Sequence, residues 1–216
     1  SGPLDEQGQF LYRLTGLAND GQDEINYVEN KRQFIAPSLT WRPNDDTSMT
    51  VFAQYQKDKG VPEAQGLPAS GTLWDNPNGK IKRDLFIGEP GVNQYNREQY
   101  VLGYEVSHRL NDTWTLKQNA RYAEVDDRYT APLHGYSFVA NPVSGVQDQR
   151  YLQRFGVDWA QNNTVFGVDS IAQAEFDTGA LSHTMIFGLD YYHSNSQFQG
   201  LYARNPPIID LFNPAS

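Results

Sequence analysis

The feature that most constrains this chain is a long-running alternation of apolar and polar residues with a period of two, which is typical of β-strands. Its clearest example covers residues 100–110, where Tyr, Leu and Val on one face alternate with Gly, Glu, Ser and Arg on the other. Six further segments follow the same pattern, at 10–18, 33–42, 49–57, 114–122, 165–176 and 181–193. No segment carries an apolar stripe with helical spacing. The pattern therefore predicts an all-β chain of about seven strands.

The predicted connections alternate between short and long. Short turns rich in Asn, Asp and Gly lie at 43–47, 110–113 and 177–180. Long loops lie at 19–30, 58–97, 131–160 and 198–216. If consecutive strands are antiparallel, all short turns lie at one end of the sheet and all long loops at the other, as in outer-membrane barrels. We therefore predict a segment of an antiparallel transmembrane β-barrel with periplasmic turns and extracellular loops.

The aromatic content gives this prediction a second basis. The chain has 13 Tyr, 11 Phe and 4 Trp although its mean hydropathy is -0.65, so this many aromatic rings in a polar chain need an explanation. Eight of them lie near predicted strand ends, where barrels carry interfacial girdles: Phe10, Trp41, Tyr55, Tyr100, Trp114, Tyr122, Phe176 and Tyr191. Others fall in predicted loops as possible ligand surface: Trp74, Phe86, Tyr95, Tyr129, Tyr136, Phe138, Phe198 and Tyr202. Ordinary packing within the sheet or the loops is the alternative for each ring.

About seven strands are too few to close a membrane barrel. An unpaired strand edge is not tolerated in hydrocarbon, and an odd antiparallel set leaves its two ends on opposite sides of the membrane. The chain also starts at Ser1 without a methionine or a signal peptide. We therefore expect a mature form or a fragment, and one piece of a larger barrel.

Several functional classes are excluded by composition and spacing. The chain has no Cys, so disulfides and thiolate metal sites are absent, and an acidic chain without a large basic block argues against nucleic acid as a partner. The four histidines, His108, His134, His183 and His193, lack the spacing of a zinc site. No Ser-His-Asp arrangement is apparent. We therefore expect neither an enzyme, nor a metal site, nor a cofactor.

Five stretches carry a family resemblance: 12–18, 35–45, 111–114 followed by 121–124, 188–192 and 211–214. In this order they resemble the TonB-dependent siderophore receptors, most closely the hydroxamate group that takes up ferrichrome and ferrioxamine. The resemblance implies about a third of a 22-stranded plugged barrel in the outer membrane of a Gram-negative bacterium, without the plug domain. It also implies uptake of a ferric siderophore, energised by TonB through the plug. Iron would then enter only as the siderophore complex, and membrane lipid or lipopolysaccharide would contact the barrel.

The resemblance also suggests ligand-contacting residues. His134 and Tyr136 match a stretch in which the ferrichrome receptor has two ligand-contacting tyrosines, with His134 replacing one of them. Tyr202 falls where the family presents an aromatic residue to the ligand. Residues 64–68 lack the Tyr and Trp that the ferrichrome receptor has there, which argues against ferrichrome itself, although Trp74 could supply the missing surface.

Two alternatives remain open from the sequence. One is a soluble β-sandwich that binds carbohydrate or another ligand through its aromatic residues. The other keeps the barrel but changes the cargo to haem or cobalamin. A basic cluster at 80–83 fits either an anionic ligand, including lipopolysaccharide phosphates, or a solvated loop.

Overall fold

A computed structural model of the chain shows nine β-strands in a single antiparallel sheet. It describes residues 1–61, 66–203 and 207–214, and for residues 132–136 and 203 the backbone alone. In chain order the strands are β1 (Gly2–Pro3), β2 (Phe10–Gln22), β3 (Glu29–Asn44), β4 (Thr47–Gly60), β5 (Gln94–Arg109), β6 (Trp114–Val139), β7 (Tyr151–Thr178), β8 (Leu181–Ala203) and β9 (Ile209–Asp210). Strands β1 to β8 lie in sequence order, and β9 pairs with the beginning of β7.

All seven predicted strands are confirmed, as β2 to β8. The short connections between them have local causes. The side-chain oxygen of Asn111 accepts hydrogen bonds from the backbone N–H groups of Thr113 and Trp114, each at 2.9 Å, which is a typical turn geometry for this residue. Gly179, between β7 and β8, has a φ of 66°, which glycine adopts without steric cost.

The strands extend further than the sequence pattern indicates. The connections at the other end of the sheet cover only residues 23–28, 61–93 and 140–150, so much of the predicted loops 19–30 and 131–160 is strand. The predicted loop at 198–216 likewise contains the end of β8 and all of β9. In the extensions of β2 and β4, at 19–22 and 58–60, both faces carry polar residues, so the period-two signal is lost there while backbone pairing continues.

The sheet is open: within the described ranges, no strand pairs β8 back to β1. This arrangement also overturns the β-sandwich alternative, which requires the apolar face to lie under a second sheet. That face is instead uncovered, with Leu102 62% exposed and Leu189 78% exposed. Across the described residues, no helix has the length and apolarity needed to cross a membrane.

The apolar face carries two rows of aromatic contacts. Near the tight turns, the rings of Phe10 and Trp41 stack at 6.5 Å, and those of Trp114 and Phe187 lie 6.2 Å apart. Further along the strands, Tyr55 contacts Tyr100 at 5.2 Å and Phe166 contacts Tyr191 at 6.3 Å. An exposed apolar band between two aromatic rows is the outer surface expected of a membrane barrel.

The opposite, polar face is closely packed around Arg121. This residue pairs across the sheet with Gly103 on β5 and Gly167 on β7. Its guanidinium lies over the Phe52 ring, 5.5 Å from the centroid, in a cation–π contact. A Cβ atom at Gly103 would lie 2.5 Å from the Phe52 ring and 2.7 Å from the Ala120 carbonyl oxygen, so this position requires glycine.

A row of alternating charges crosses the polar face further from the tight turns. We call Arg32, Asp58, Arg97 and Asp127 the charged row, because strand pairing places them side by side on β3 to β6. Arg32 Nε donates to Asp58 at 2.6 Å, and Arg97 Nε lies 3.7 Å from Asp127. Asp58 is only 4% exposed and also accepts a hydrogen bond from Gln56 at 2.8 Å. Paired charges of the row therefore join β3 to β4 and β5 to β6.

An apolar core lies away from the membrane band. The described part of the β4–β5 connection packs with segment 207–214 against the beginning of β7, and we call this unit the loop platform. Its buried side chains are Ile81, Leu85, Ile87, Leu152, Ile209 and Leu211. The platform therefore joins segments that are distant in sequence into one packed unit at the loop end of the sheet.

We predict that Gly103→Ala in the full-length protein lowers the free energy of unfolding by about 1 to 3 kcal/mol, because overpacking against a backbone carbonyl cannot be relieved by a rotamer change. Urea unfolding in detergent measures this. Gly167→Ala is the matched control, since its nearest heavy atom lies 3.8 Å from the added Cβ. Equal stability of the two variants would contradict the prediction.

We also predict that Asp58→Asn costs about 1 to 3 kcal/mol of stability, because the buried carboxylate accepts charge-assisted hydrogen bonds that an amide replaces poorly. The control is Asp20→Asn, whose carboxylate is 74% exposed and lies 3.9 Å from Lys31. The control should change stability by less than about 0.5 kcal/mol. Comparable unfolding midpoints for both variants would show that the charged row does not stabilise the sheet.

Candidate functional site

Four aromatic rings form a continuous row on the polar face, directly beyond the charged row. We call Tyr95, Tyr129, Trp159 and Phe198 the aromatic ladder. The centroids of Tyr95 and Tyr129 lie 6.3 Å apart, those of Tyr129 and Trp159 5.5 Å apart in a stacked arrangement, and those of Trp159 and Phe198 6.1 Å apart. Each ring comes from a different strand, β5 to β8 in order. The ladder therefore spans four strands of the wall.

A further aromatic pair continues this surface toward the loop end. Phe155 precedes Trp159 by four positions on β7, so strand alternation places both on the same face. The Phe155 ring lies 5.5 Å from the ring of Tyr202 on β8. We call Phe155 and Tyr202 the rim pair. Phe198 and Tyr202 both lie on β8, the last strand of the described sheet.

The local electrostatics keep this surface close to neutral. Asp127 lies 13 positions from Trp114, where β6 begins. Because a membrane-spanning strand needs only about 9–11 residues, Asp127 and the residues that follow it on β6 lie beyond the membrane. Burial raises the pKa of the Asp127 carboxyl, an effect that Arg97 opposes. Burial also raises the pKa of the Tyr129 hydroxyl. The tyrosine therefore remains neutral at physiological pH.

Each arginine of the charged row has a carboxylate beside it, so the row has no excess of either charge. Arg97 Nε and Asp127 Oδ1 are buried without a hydrogen-bond partner. The polar face thus presents aromatic rings, some with polar groups, next to a charged row in which each arginine has a neighbouring carboxylate. It can hold a bulky organic ligand of low net charge by contact and hydrogen bonding.

The structure brings some predicted site residues together and leaves others apart. Tyr202 belongs to the rim pair. The backbone of His134 pairs with Phe155, and Tyr136 falls at a bulge between Gly135 and Ser137. The side chains of His134 and Tyr136 lie outside the described residues, as do residues 64 and 65, so their predicted roles remain predictions.

Trp74 lies in the loop platform, where its backbone N–H bonds to Ala69 at 2.9 Å. Its side chain is 72% exposed. In the described part of the chain no ring contact links it to the rim pair.

The aromatic ladder was not predicted as a unit. Sequence reasoning assigned Tyr95, Tyr129 and Phe198 to loops, but all three lie on strands. Trp159 was missed because it fell inside the predicted loop 131–160. The available signal was the period-two spacing of Phe155, Val157 and Trp159, which continues the alternation of β7 beyond its predicted beginning.

The described ranges contain no group of three or more His, Asp or Glu side chains arranged to hold a metal ion. His108 hydrogen-bonds with Thr47 at 2.9 Å, and His183 with Thr178 at 2.6 Å. Both histidines thus lie among turn residues at the end of the sheet remote from the aromatic ladder.

Comparison with known proteins identifies the family. Residues 36–216 match the family described as TonB dependent receptor-like, beta-barrel. The chain is 32% identical to the ferrichrome outer membrane transporter/phage receptor of Escherichia coli, with 100% of this chain covered and 30% of that protein. It is 28% identical to the ferrioxamine B receptor of Salmonella typhimurium, with 99% of this chain and 29% of that protein covered. The chain thus spans about 30% of the length of these relatives.

Solved structures show the same fold. The open form of the ferric-catecholate import receptor Fiu from Escherichia coli has a TM-score of 0.82 and 18% identity, covering 96% of this chain and 33% of that one. BauA, the ferric preacinetobactin receptor from Acinetobacter baumannii, has a TM-score of 0.77 and 15% identity, covering 99% and 31%. The chain belongs to the TonB-dependent receptor family, as part of its β-barrel in the bacterial outer membrane.

Proposed function

We propose that the protein to which this chain belongs takes up a ferric siderophore of the hydroxamate class across the outer membrane. The observation that carries the proposal is the aromatic ladder with its rim pair, on the polar face of a TonB-dependent receptor barrel and at the end remote from the tight turns. TonB supplies the energy through a part of the protein outside this chain. No catalytic step is assigned to the barrel wall.

A siderophore receptor needs contact area rather than metal ligands, because the siderophore already saturates its iron. The receptor therefore recognises the organic shell of the complex. Tyr and Trp rings suit this task, since they combine a large apolar area with a polar tip. The ladder and rim offer four such rings and two Phe rings along one face.

The charge balance favours a hydroxamate over a catecholate complex. Hydroxamate anions neutralise ferric iron, whereas catecholate dianions leave a strongly anionic complex that calls for unpaired cations. Arg32 and Arg97 below the ladder are each paired with a carboxylate. Two of the matching relatives are named for ferrichrome and ferrioxamine B, which agrees with this choice. Haem or cobalamin is the alternative cargo.

We further propose an orientation in the membrane. The tight turns face the periplasm, and the loop platform faces the cell exterior. The apolar face contacts membrane lipid. The predicted site residues Tyr136, His134, Tyr202 and Trp74 remain proposed ligand contacts on this exterior side.

The function is tested by expressing the full-length receptor in a bacterium that lacks its own hydroxamate receptors. We expect radioactive iron supplied as ferrichrome or ferrioxamine B to enter the cells, and uptake to stop when TonB is deleted. A ferric catecholate, haem and cobalamin serve as comparison cargoes. Uptake of a comparison cargo without uptake of either hydroxamate complex would refute the proposal, as would uptake that does not depend on TonB.

The site is tested with single variants of the same receptor. We expect Tyr136→Ala and Tyr202→Ala each to weaken binding of the transported siderophore roughly tenfold, because a ring contact and its polar tip are lost. The matched control is Tyr191→Ala, on the same strand as Tyr202 but on the apolar face, where it packs against Phe166. Unchanged affinity for both site variants would remove them from the site.

A further inference from the structure

The Arg154 side chain is buried, with 3% of its surface exposed. It lies near the beginning of β7, directly before Phe155 of the rim pair. Taking a guanidinium out of water is costly unless its N–H groups find partners. The partners of this residue therefore indicate what its burial achieves.

Those partners lie in two segments far from β7 in sequence. Nε donates to the Pro207 carbonyl at 2.6 Å. Nη1 donates to the carbonyls of Ile87 at 3.0 Å and Gly88 at 3.1 Å, and Nη2 pairs with the Glu89 carboxylate. Four of the five guanidinium N–H groups are used in this way. Only a planar, forked donor can reach all of these acceptors at once.

The hydrogen bond to Pro207 fixes the position of the chain that follows Tyr202 of the rim pair. On one side of Tyr202, strand β8 pairs with β7 as far as Ala203 opposite Gly156. Beyond residues 204–206, Arg154 holds the chain again at Pro207. Both ends of the segment that carries Tyr202 are thus attached to β7 close to Phe155.

The bonds to Ile87, Gly88 and Glu89 attach the loop platform behind the rim. Strand alternation points Arg154 and Leu152 to the face opposite Phe155, and Leu152 lies in the platform core. The platform therefore supports the wall from the side that does not carry the rim pair. An aromatic surface held in this way is pre-organised, which lowers the entropy lost on binding.

We propose that Arg154 is a positioning residue for the siderophore site: it touches no ligand, but holds the rim pair in its binding geometry. This inference rests on the proposed function. Methionine at this position would fill the space but leave three carbonyls and Glu89 without their donor. Lysine would keep the charge near Glu89 while losing the fork, so it should restore the geometry in part.

The test compares uptake kinetics of Arg154→Met, Arg154→Lys and wild-type full-length receptor, with iron-labelled ferrioxamine B and ferrichrome as substrates. We expect KM to rise roughly tenfold or more for the methionine variant and less for the lysine variant, since several charge-assisted hydrogen bonds are lost. The maximal rate per receptor should not change, because the energy-coupling part is untouched. Arg83→Met is the control, with a side chain that is 93% exposed in the same loop.

Hydrogen exchange provides a readout that needs no ligand. In Arg154→Met, exchange should accelerate at residues 151–156 and 201–203 and stay unchanged at 165–176. An unchanged KM, a lower maximal rate at unchanged KM, or unaltered exchange at 201–203 would each overturn the positioning role. If the methionine variant fails to reach the membrane, Arg154→Lys and Glu89→Gln are judged by the same criteria. A wild-type receptor that transports neither substrate would instead refute the proposed function, and the exchange data would still decide the role of Arg154.

Discussion

Backbone pairing joins β6, β7 and β8 from the tight turns to the rim, with two bulges in β6 near the rim, and the functional features of the chain depend on it. In a membrane this pairing is compulsory, because an unpaired N–H or carbonyl group in hydrocarbon has no water to bind. Beyond the membrane it has another effect, since it carries the regular spacing of the wall outward into water. The aromatic ladder is built on this extension, so its rings inherit the rigidity of the membrane-spanning sheet.

Because side chains alternate along a strand, the same residue type occurs on both the apolar face and the polar face of the sheet. Tyr191 and Tyr192 are neighbours on β8, yet Tyr191 packs on Phe166 at the apolar face while Tyr192 lies beside Gly167 on the polar face. The environments of the two tyrosines differ because adjacent positions of a strand point to opposite faces, although the residue type is the same. A shift of one position in register would exchange the two environments along the whole strand. Register is therefore the property that separates the lipid-facing surface from the ligand-facing surface.

The sequence predicts the part of the fold in which the two faces differ strongly. Strands β2 to β8 and their tight turns could be predicted, because lipid on one side and polar residues on the other force a period of two, and residues such as Asn111 and Gly179 mark the turns. The extensions of β2 and β4 could not, because polar residues occupy both faces there and the period of two is lost. The burial of Arg154 and its contacts could not be predicted either, since its acceptors are 53 to 67 positions away along the chain. No local sequence pattern indicates that an arginine is buried.

The bulges in β6 have a consequence for how this family can change. Tyr129 and Val139 are ten positions apart on β6, whereas their partners Trp159 and Tyr151 are eight positions apart on β7. The hairpin thus absorbs two unmatched residues, Leu133 and Tyr136, while pairing above and below them stays in register. Insertions and deletions can accumulate in this stretch without moving the ladder or the membrane band. The rim can therefore be reshaped for a new ligand while the wall that carries it stays the same.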